Sequence, residues 1–223
     1  MEILADLLGR MGGRFAAELG IDLKAGPAAR QQWFLAALLY GARISGQLAA
    51  RTYRVLAARG IWSPEAVLAQ GWDHLVALLD EGGYTRYDYK TATKLLRVME
   101  SLQEGYGGDL ERVHAEARDY EDLETRLRAL APGIGPGTAN IFLRELRGLW
   151  AKATPPLSPL ARQAAAALGL LPPGLNDREA LQALQAQWRA QPVAGFDFAD
   201  LEAALVRRGL ELRRRRPPRD PGA

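Results

Sequence analysis

The sequence predicts an all-α protein, and three observations carry that prediction. Apolar residues recur at helical spacing along nearly the whole 223-residue chain, no run alternates in the two-residue period of a strand, and no Asn-Gly hairpin signal occurs. The helices expected in order are Glu2–Leu19, Ala28–Ala42, Gly46–Arg59, Pro64–Gln70, Asp73–Asp80 and Tyr87–Glu104. Then follow Leu110–Ala117, Tyr120–Ala131, Gly137–Leu149, Pro159–Leu168, Asp177–Ala190 and Asp197–Arg208. Start signals have a physical basis. Ser63-Pro64-Glu65 offers a hydroxyl to free amides, a proline at the first helical position and a carboxylate in the first turn, and Asn176 before Asp177-Arg178-Glu179 repeats the logic. Gly60, Gly71, Gly82-Gly83 and Gly107-Gly108 supply stops.

Two proline-rich breaks, Thr154–Pro159 and Leu171–Gly174, mark where the chain changes lobes. A central lobe is expected over residues 28–149, and a second from residues 1–27 combined with 150–212. The start MEILADLLGRMGGRFAAELG is amphipathic with early acids, which reads as a helix and not as a signal peptide. No apolar run approaches the roughly 20 residues of a membrane span, so a soluble, cytoplasmic protein is expected.

Cysteine is absent, which excludes disulfides, zinc-thiolate sites and iron–sulfur clusters. Only His74 and His114 remain for metal or triad chemistry, so no metal site and no cofactor are expected. The net charge of +3 is uneven. Arg213, Arg214, Arg215, Arg216 and Arg219 stand against Asp220 in the tail, which leaves the rest of the chain at −1. Residues 213–223 are expected to form a flexible basic arm, because proline and like charges oppose helix continuation. Nucleic-acid binding by the body therefore needs a local basic face.

The informative segment runs Leu127-Arg-Ala-Leu130-Ala-Pro132-Gly133-Ile134-Gly135-Pro136-Gly137-Thr138-Ala139. A helix ends near Ala131, four residues turn sharply, and a second helix starts near Gly137. Gly133 and Gly135 can both take positive φ and present no side chain to an approaching ligand. Amides at such a turn and at the next helix start suit a phosphate oxygen. Ile134 is expected to point inward, and Thr138 to add a hydroxyl contact.

Written as Leu-x-x-Leu-x-Pro-Gly-Ile-Gly-x-x-Thr-Ala, this segment resembles the DNA-binding helix-hairpin-helix motif, placed here at residues 130–147. The order of weaker matches extends the resemblance over roughly residues 31–209. They include Phe34–Leu39, Ala49–Leu56, Ser63–Leu68, Gly82-Gly83-Tyr84, Lys90–Leu102, Tyr106-Gly107-Gly108, Leu160-Ala161-Arg162 and Ala167–Leu170. The chain thus resembles the endonuclease III-like DNA glycosylases of the helix-hairpin-helix Gly/Pro/Asp superfamily. That resemblance implies two helical lobes with a cleft, a hairpin that grips backbone phosphates, and a target base extruded for excision.

Two positions depart from the family. Where lyase members carry a Schiff-base lysine, this chain has Gly137, and where the family carries its aspartate, alignment on Ala167-Leu168-Gly169 places Ser158. No Asp or Glu occurs between Glu145 and Asp177, so a shifted register does not restore it. A neutral hydroxyl does not stabilise a cationic sugar as a carboxylate does. Asp88, Asp197 and Asp200 are the substitutes to consider, although each is also a first-turn acid suited to a helix dipole. Glu145 is expected to pair with Arg144 or Arg147 near the surface. The family's gap-filling position holds Ala42, followed by Arg43. Tyr84, Tyr87 and Tyr89 alternate with Arg86 and Lys90, a pattern that fits base stacking with phosphate contact, and fits helix packing too.

The expected function is recognition of damaged or distorted double-stranded DNA at the nucleoid, without the standard glycosylase or lyase chemistry. The expected contacts are Gly133, Ile134, Gly135, Gly137, Thr138, Arg43, Arg86, Lys90, Arg162 and Arg213–Arg216. The alternatives are a monofunctional glycosylase with a non-standard carboxylate, and a protein-interaction module in which the hairpin is only a turn.

Overall fold

The computed structural model describes residues 2–42 and 44–215, and every regular element among them is helical. The α-helices are α1 (Glu2–Met11), α2 (Phe15–Glu18), α3 (Pro27–Tyr40), α4 (Gly46–Ala57), α5 (Pro64–Leu68), α6 (Gly71–Glu81) and α7 (Asp88–Tyr106). After these come α8 (Leu110–Glu116), α9 (Tyr120–Ala129), α10 (Pro136–Glu145), α11 (Pro159–Ala167), α12 (Asp177–Ala190) and α13 (Phe198–Arg215). A single 3-10 turn, Leu23–Ala25, is capped by the Asp22 side chain. No helix among the described residues is long and apolar enough to cross a membrane.

The chain divides into two compact units. One is continuous, Ala16–Thr154; the other is formed by the chain up to Phe15 and from Pro155 onward. The continuous unit is built around α3. Residues 33–39 are all buried, so this helix is apolar on every side, as a helix surrounded by others must be. It packs against α4, α8, α10 and the 3-10 turn, while α7 packs against α5, α6 and α8. Its last turn is closed from outside: Leu38 O accepts from Lys94 Nζ at 2.9 Å, and Leu39 O accepts from Tyr84 Oη at 2.8 Å. In the discontinuous unit, α13 packs against both α1 and α11 around Leu4, Leu7, Leu8, Ala164 and Leu205. Gly209 lets α13 approach α11 closely, since a Cβ there would lie 2.9 Å from Leu160 Cβ and nearer still to its carbonyl.

Capping follows the sequence. Ser63 Oγ accepts from Ala66 N at 3.2 Å ahead of Pro64, and Asn176 and Glu179 form a reciprocal capping box. Two helix boundaries differ most from the expectation. The segment expected as one helix over Glu2–Leu19 breaks after Met11. Gly12 sits against the Phe196 ring and the Leu8 carbonyl with no room for a Cβ, and Gly13 takes φ 92°. Residues from Ala16 onward belong to the continuous unit, where Ala16 N donates to Glu145 Oε2 at 3.1 Å. The first residues of the expected basic arm are helical. Helix α13 runs to Arg215, because arginine is a good helix former and positive charge suits a helix C-terminus. Residues 216–223 lie outside the described residues.

Candidate nucleic-acid interface

Helix α9 ends at Ala129, two residues before the expected end, and α10 begins with Pro136 as its first residue. Leu127, Leu130, Ala131 and Ile134 are buried, so an apolar underside holds the turn while Pro132, Gly133, Pro136 and Gly137 are exposed. The pattern large-small-large-small around Ile134 thus separates an anchor from a bare rim. Gly133 has φ 92°, the left-handed conformation that glycine adopts without strain. Gly135 does not share it: φ is −90° and ψ 174°, an extended N-cap position open to any residue. A Cβ at Gly135 or Gly137 would meet nothing within 4 Å.

The start of α10 has no side-chain cap. Elsewhere in the same unit Ser45, Ser63, Asp109 and Asp119 cap α4, α5, α8 and α9 with side-chain oxygens, while α3, α6 and α7 also start without a side-chain cap. The positive end of α10 is therefore left to solvent or a ligand. Thr138 contributes no hydroxyl to this rim. It is buried against Gly41, which corrects the expected contact. Helix α10 is held behind the rim by Trp33, whose Nε1 donates to Phe142 O at 3.1 Å, and by edge-on packing of Phe142 on Phe34.

Beside the turn, the exposed face of α7 forms a furrow of about 290 Å³ lined by Tyr89, Lys90, Thr93, Lys94, Arg97 and Pro132. Lys94 touches the turn itself, its Cδ lying 3.6 Å from where a Cβ on Gly133 would stand. Burial of its stem and amine lowers the Lys94 pKa to about 8. Lys90 and Arg97 are exposed and have no ion-pair partner among the described residues. Sequence reading marked Lys90 but missed Lys94, Arg97 and Pro132; the i, i+4, i+7 spacing of the three cations was the available signal.

A second hollow, of about 350 Å³, lies between Ile44, Ser45, Leu48 and the 83–87 loop with Arg86 and Tyr87. Arg86 is exposed and its guanidinium carbon lies 5.8 Å from the Tyr87 ring centre. Tyr84 does not join this surface as a stacking ring. It is buried, its hydroxyl is used on α3, and burial pushes its pKa up.

The other residues singled out by sequence fall on other elements, and most are engaged locally. Arg162 pairs with Asp177 and donates to Leu175 O, tying α11 to the start of α12. Ser158 caps α11, accepting from Ala161 N at 3.2 Å. Asp88 opens α7 and accepts from Tyr89 N at 2.8 Å. Asp197 accepts from the amides of Ala199 and Asp200 and pairs with Arg14 at 2.5 Å, while Asp200 returns a bond to Asp197 N at 2.8 Å. That reciprocal cap explains both acids. Burial raises the Asp200 pKa, with the Asp197 charge adding to the shift and Arg14 opposing it. Glu145 is not near the surface as expected but wholly buried, where it serves the Ala16 amide and lies 4.0 Å from Arg144 Nε. Arg213 and Arg214 are exposed on the last turn of α13; Arg215 shares the helix, and Arg43 and Arg216 lie outside the described residues. No group of three or more potential metal-ligating side chains occurs among the described residues. No protein-family model matches the chain, and no curated protein sequence matches it.

Proposed function

We propose that the chain binds double-stranded DNA through the 130–147 hairpin and recognises damaged or distorted duplex without performing standard base excision. The observation that carries this reading is the rim of the turn. An uncapped helix start is flanked by bare glycines and stands next to cations that have no acidic partner among the described residues. Amides at a helix N-terminus and clustered cations are the two devices that hold backbone phosphate, and neither depends on base identity. Excision needs a group that stabilises a cationic sugar. Gly137 has no side chain, Ser158 is neutral and spent on a cap, Asp88 accepts from an amide at the start of α7, and Asp197 and Asp200 are spent at the start of α13. The binding role therefore stands ahead of a glycosylase role, and such a protein would act at the nucleoid.

Gly137→Glu tests it. The new carboxylate has open space, favours the first turn of α10, and repels phosphate from the rim. Affinity for a labelled duplex should fall about ten-fold or more, in keeping with the ~1.5–3 kcal/mol of a hydrogen bond to a charged group. Gly137→Ala should bind nearly as the parent does, and both variants should melt normally. Equal affinity of the Glu variant and the parent would remove the hairpin from the binding surface.

A further inference from the structure

Phosphate binding at the rim leaves the aromatic edge of the α7 furrow unexplained. Among the described residues the strongly exposed large apolar side chains are Ile3, Trp72 and Tyr89, and the last two lie face to tilted face, 5.2 Å apart. Trp72 is 39% and Tyr89 61% exposed. Their positions are fixed. Trp72 Nε1 donates to Thr93 Oγ1 at 3.0 Å, and that hydroxyl donates to Tyr89 O at 2.9 Å, so α6 and α7 present the two rings as one platform. Leaving most of Tyr89 and part of Trp72 in water forgoes burial energy that aromatic residues normally supply.

We infer that this furrow takes one or two unpaired nucleotides of a DNA strand, with bases stacked on Tyr89 and Trp72 and phosphates held by Lys90 and Arg97. The inference rests on the hairpin reading for the duplex that carries those nucleotides. Three physical points favour an unpaired strand over a duplex as occupant. A base inside a helix has both faces covered by its neighbours, and only an unstacked base offers a π-face to an exposed ring. Lys90 and Arg97 are seven residues apart on one helix, about 10 Å along its axis, and Lys94, between them in sequence, also lines the furrow. The furrow's 290 Å³ sits near the lower end of ligand pockets, ~300–1,000 Å³, a size for one or two nucleotides and not for a long strand. Pro132 of the turn also lines the furrow, so furrow and rim adjoin. Distortion is then read as an extruded nucleotide found beside a gripped backbone.

The test compares a blunt duplex with the same duplex carrying a two-nucleotide bulge, using the full chain. The parent should prefer the bulge about ten-fold, the scale of one base–aromatic stack. Replacing both rings, Trp72→Ala with Tyr89→Ala, should erase that preference, leave blunt-duplex affinity nearly unchanged and keep melting cooperative, at a temperature lowered by loss of the partly buried Trp72 ring. Gly137→Glu should weaken both duplexes and keep their ratio. A bulge preference that survives loss of both rings, the absence of any preference in the parent, or no DNA binding at all would each overturn the inference. If the rings govern bulge preference while Gly137→Glu changes nothing, the furrow reading stands and the hairpin reading falls.

Discussion

Lys94 sits where a charge is costly, half enclosed by α3, α7 and the turn, with its amine on the Leu38 carbonyl. Its pKa is lowered from 10.5 to about 8 by burial. Between those values the unfolded chain binds more protons than the folded one, so stability should rise with pH across that window. The full shift corresponds to about 3 kcal/mol. Buried Tyr53, pushed up to about 12, acts in the opposite sense above pH 10, which limits the clean range to pH 8–10. Melting temperature should climb over that range in the parent and stay nearly flat in Lys94→Met; equal slopes would show that Lys94 is not the titrating group. Some of this residue-level picture is legible in the sequence. Ile134 between two glycines reads as an anchor, and Asp88 and Asp197 read as helix-start acids because their offsets are local. The Trp72–Tyr89 platform and the burial of Glu145 are not legible. They depend on partners 17 and 129 residues away, and nothing in the neighbouring sequence names Ala16 N as the donor that Glu145 must satisfy.

At the scale of elements, the approach of α3 to α10 sets where the rim stands. Gly41 ends α3 against Thr138 in the first turn of α10, and a Cβ at Gly41 would come within 2.9 Å of Thr138 Cβ and Cγ2 and nearer to its hydroxyl. Gly41→Ala should therefore destabilise by about 1–3 kcal/mol through overpacking. Thr138→Ala in the same chain should recover part of that loss, a non-additivity expected of side chains in contact. Fully additive denaturation free energies would mean that the two helices relax apart without cost. Helix existence is read well from the sequence because caps and periodicity are short-range, as at Ser63-Pro64 and Asn176. Helix ends are read less well. The break after Met11 depends on Phe196 occupying the space of a missing side chain, and the run of α13 to Arg215 depends on propensity outweighing like-charge repulsion.

At the scale of the whole molecule, the division into a continuous and a discontinuous unit has a direct test. A fragment of residues 16–154 contains all of α3–α10 and the hairpin, so it should stay helical and melt cooperatively. Residues 155–215 alone lack α1 and should not, since Leu4, Leu7 and Leu8 supply part of their core. A non-cooperative 16–154 fragment would show that the two units fold as one. The proline breaks at 154–159 mark this boundary in the sequence, whereas the return of α1 to α13 is a long-range pairing that no local pattern encodes. That pairing also imposes a schedule. At ~5–20 residues per second on a ribosome, α1 emerges roughly 10–40 s before α13 is complete. Throughout that interval its leucine face has no α13 to cover it, so the nascent chain presents a sticky amphipathic segment to whatever cellular factors patrol the exit tunnel.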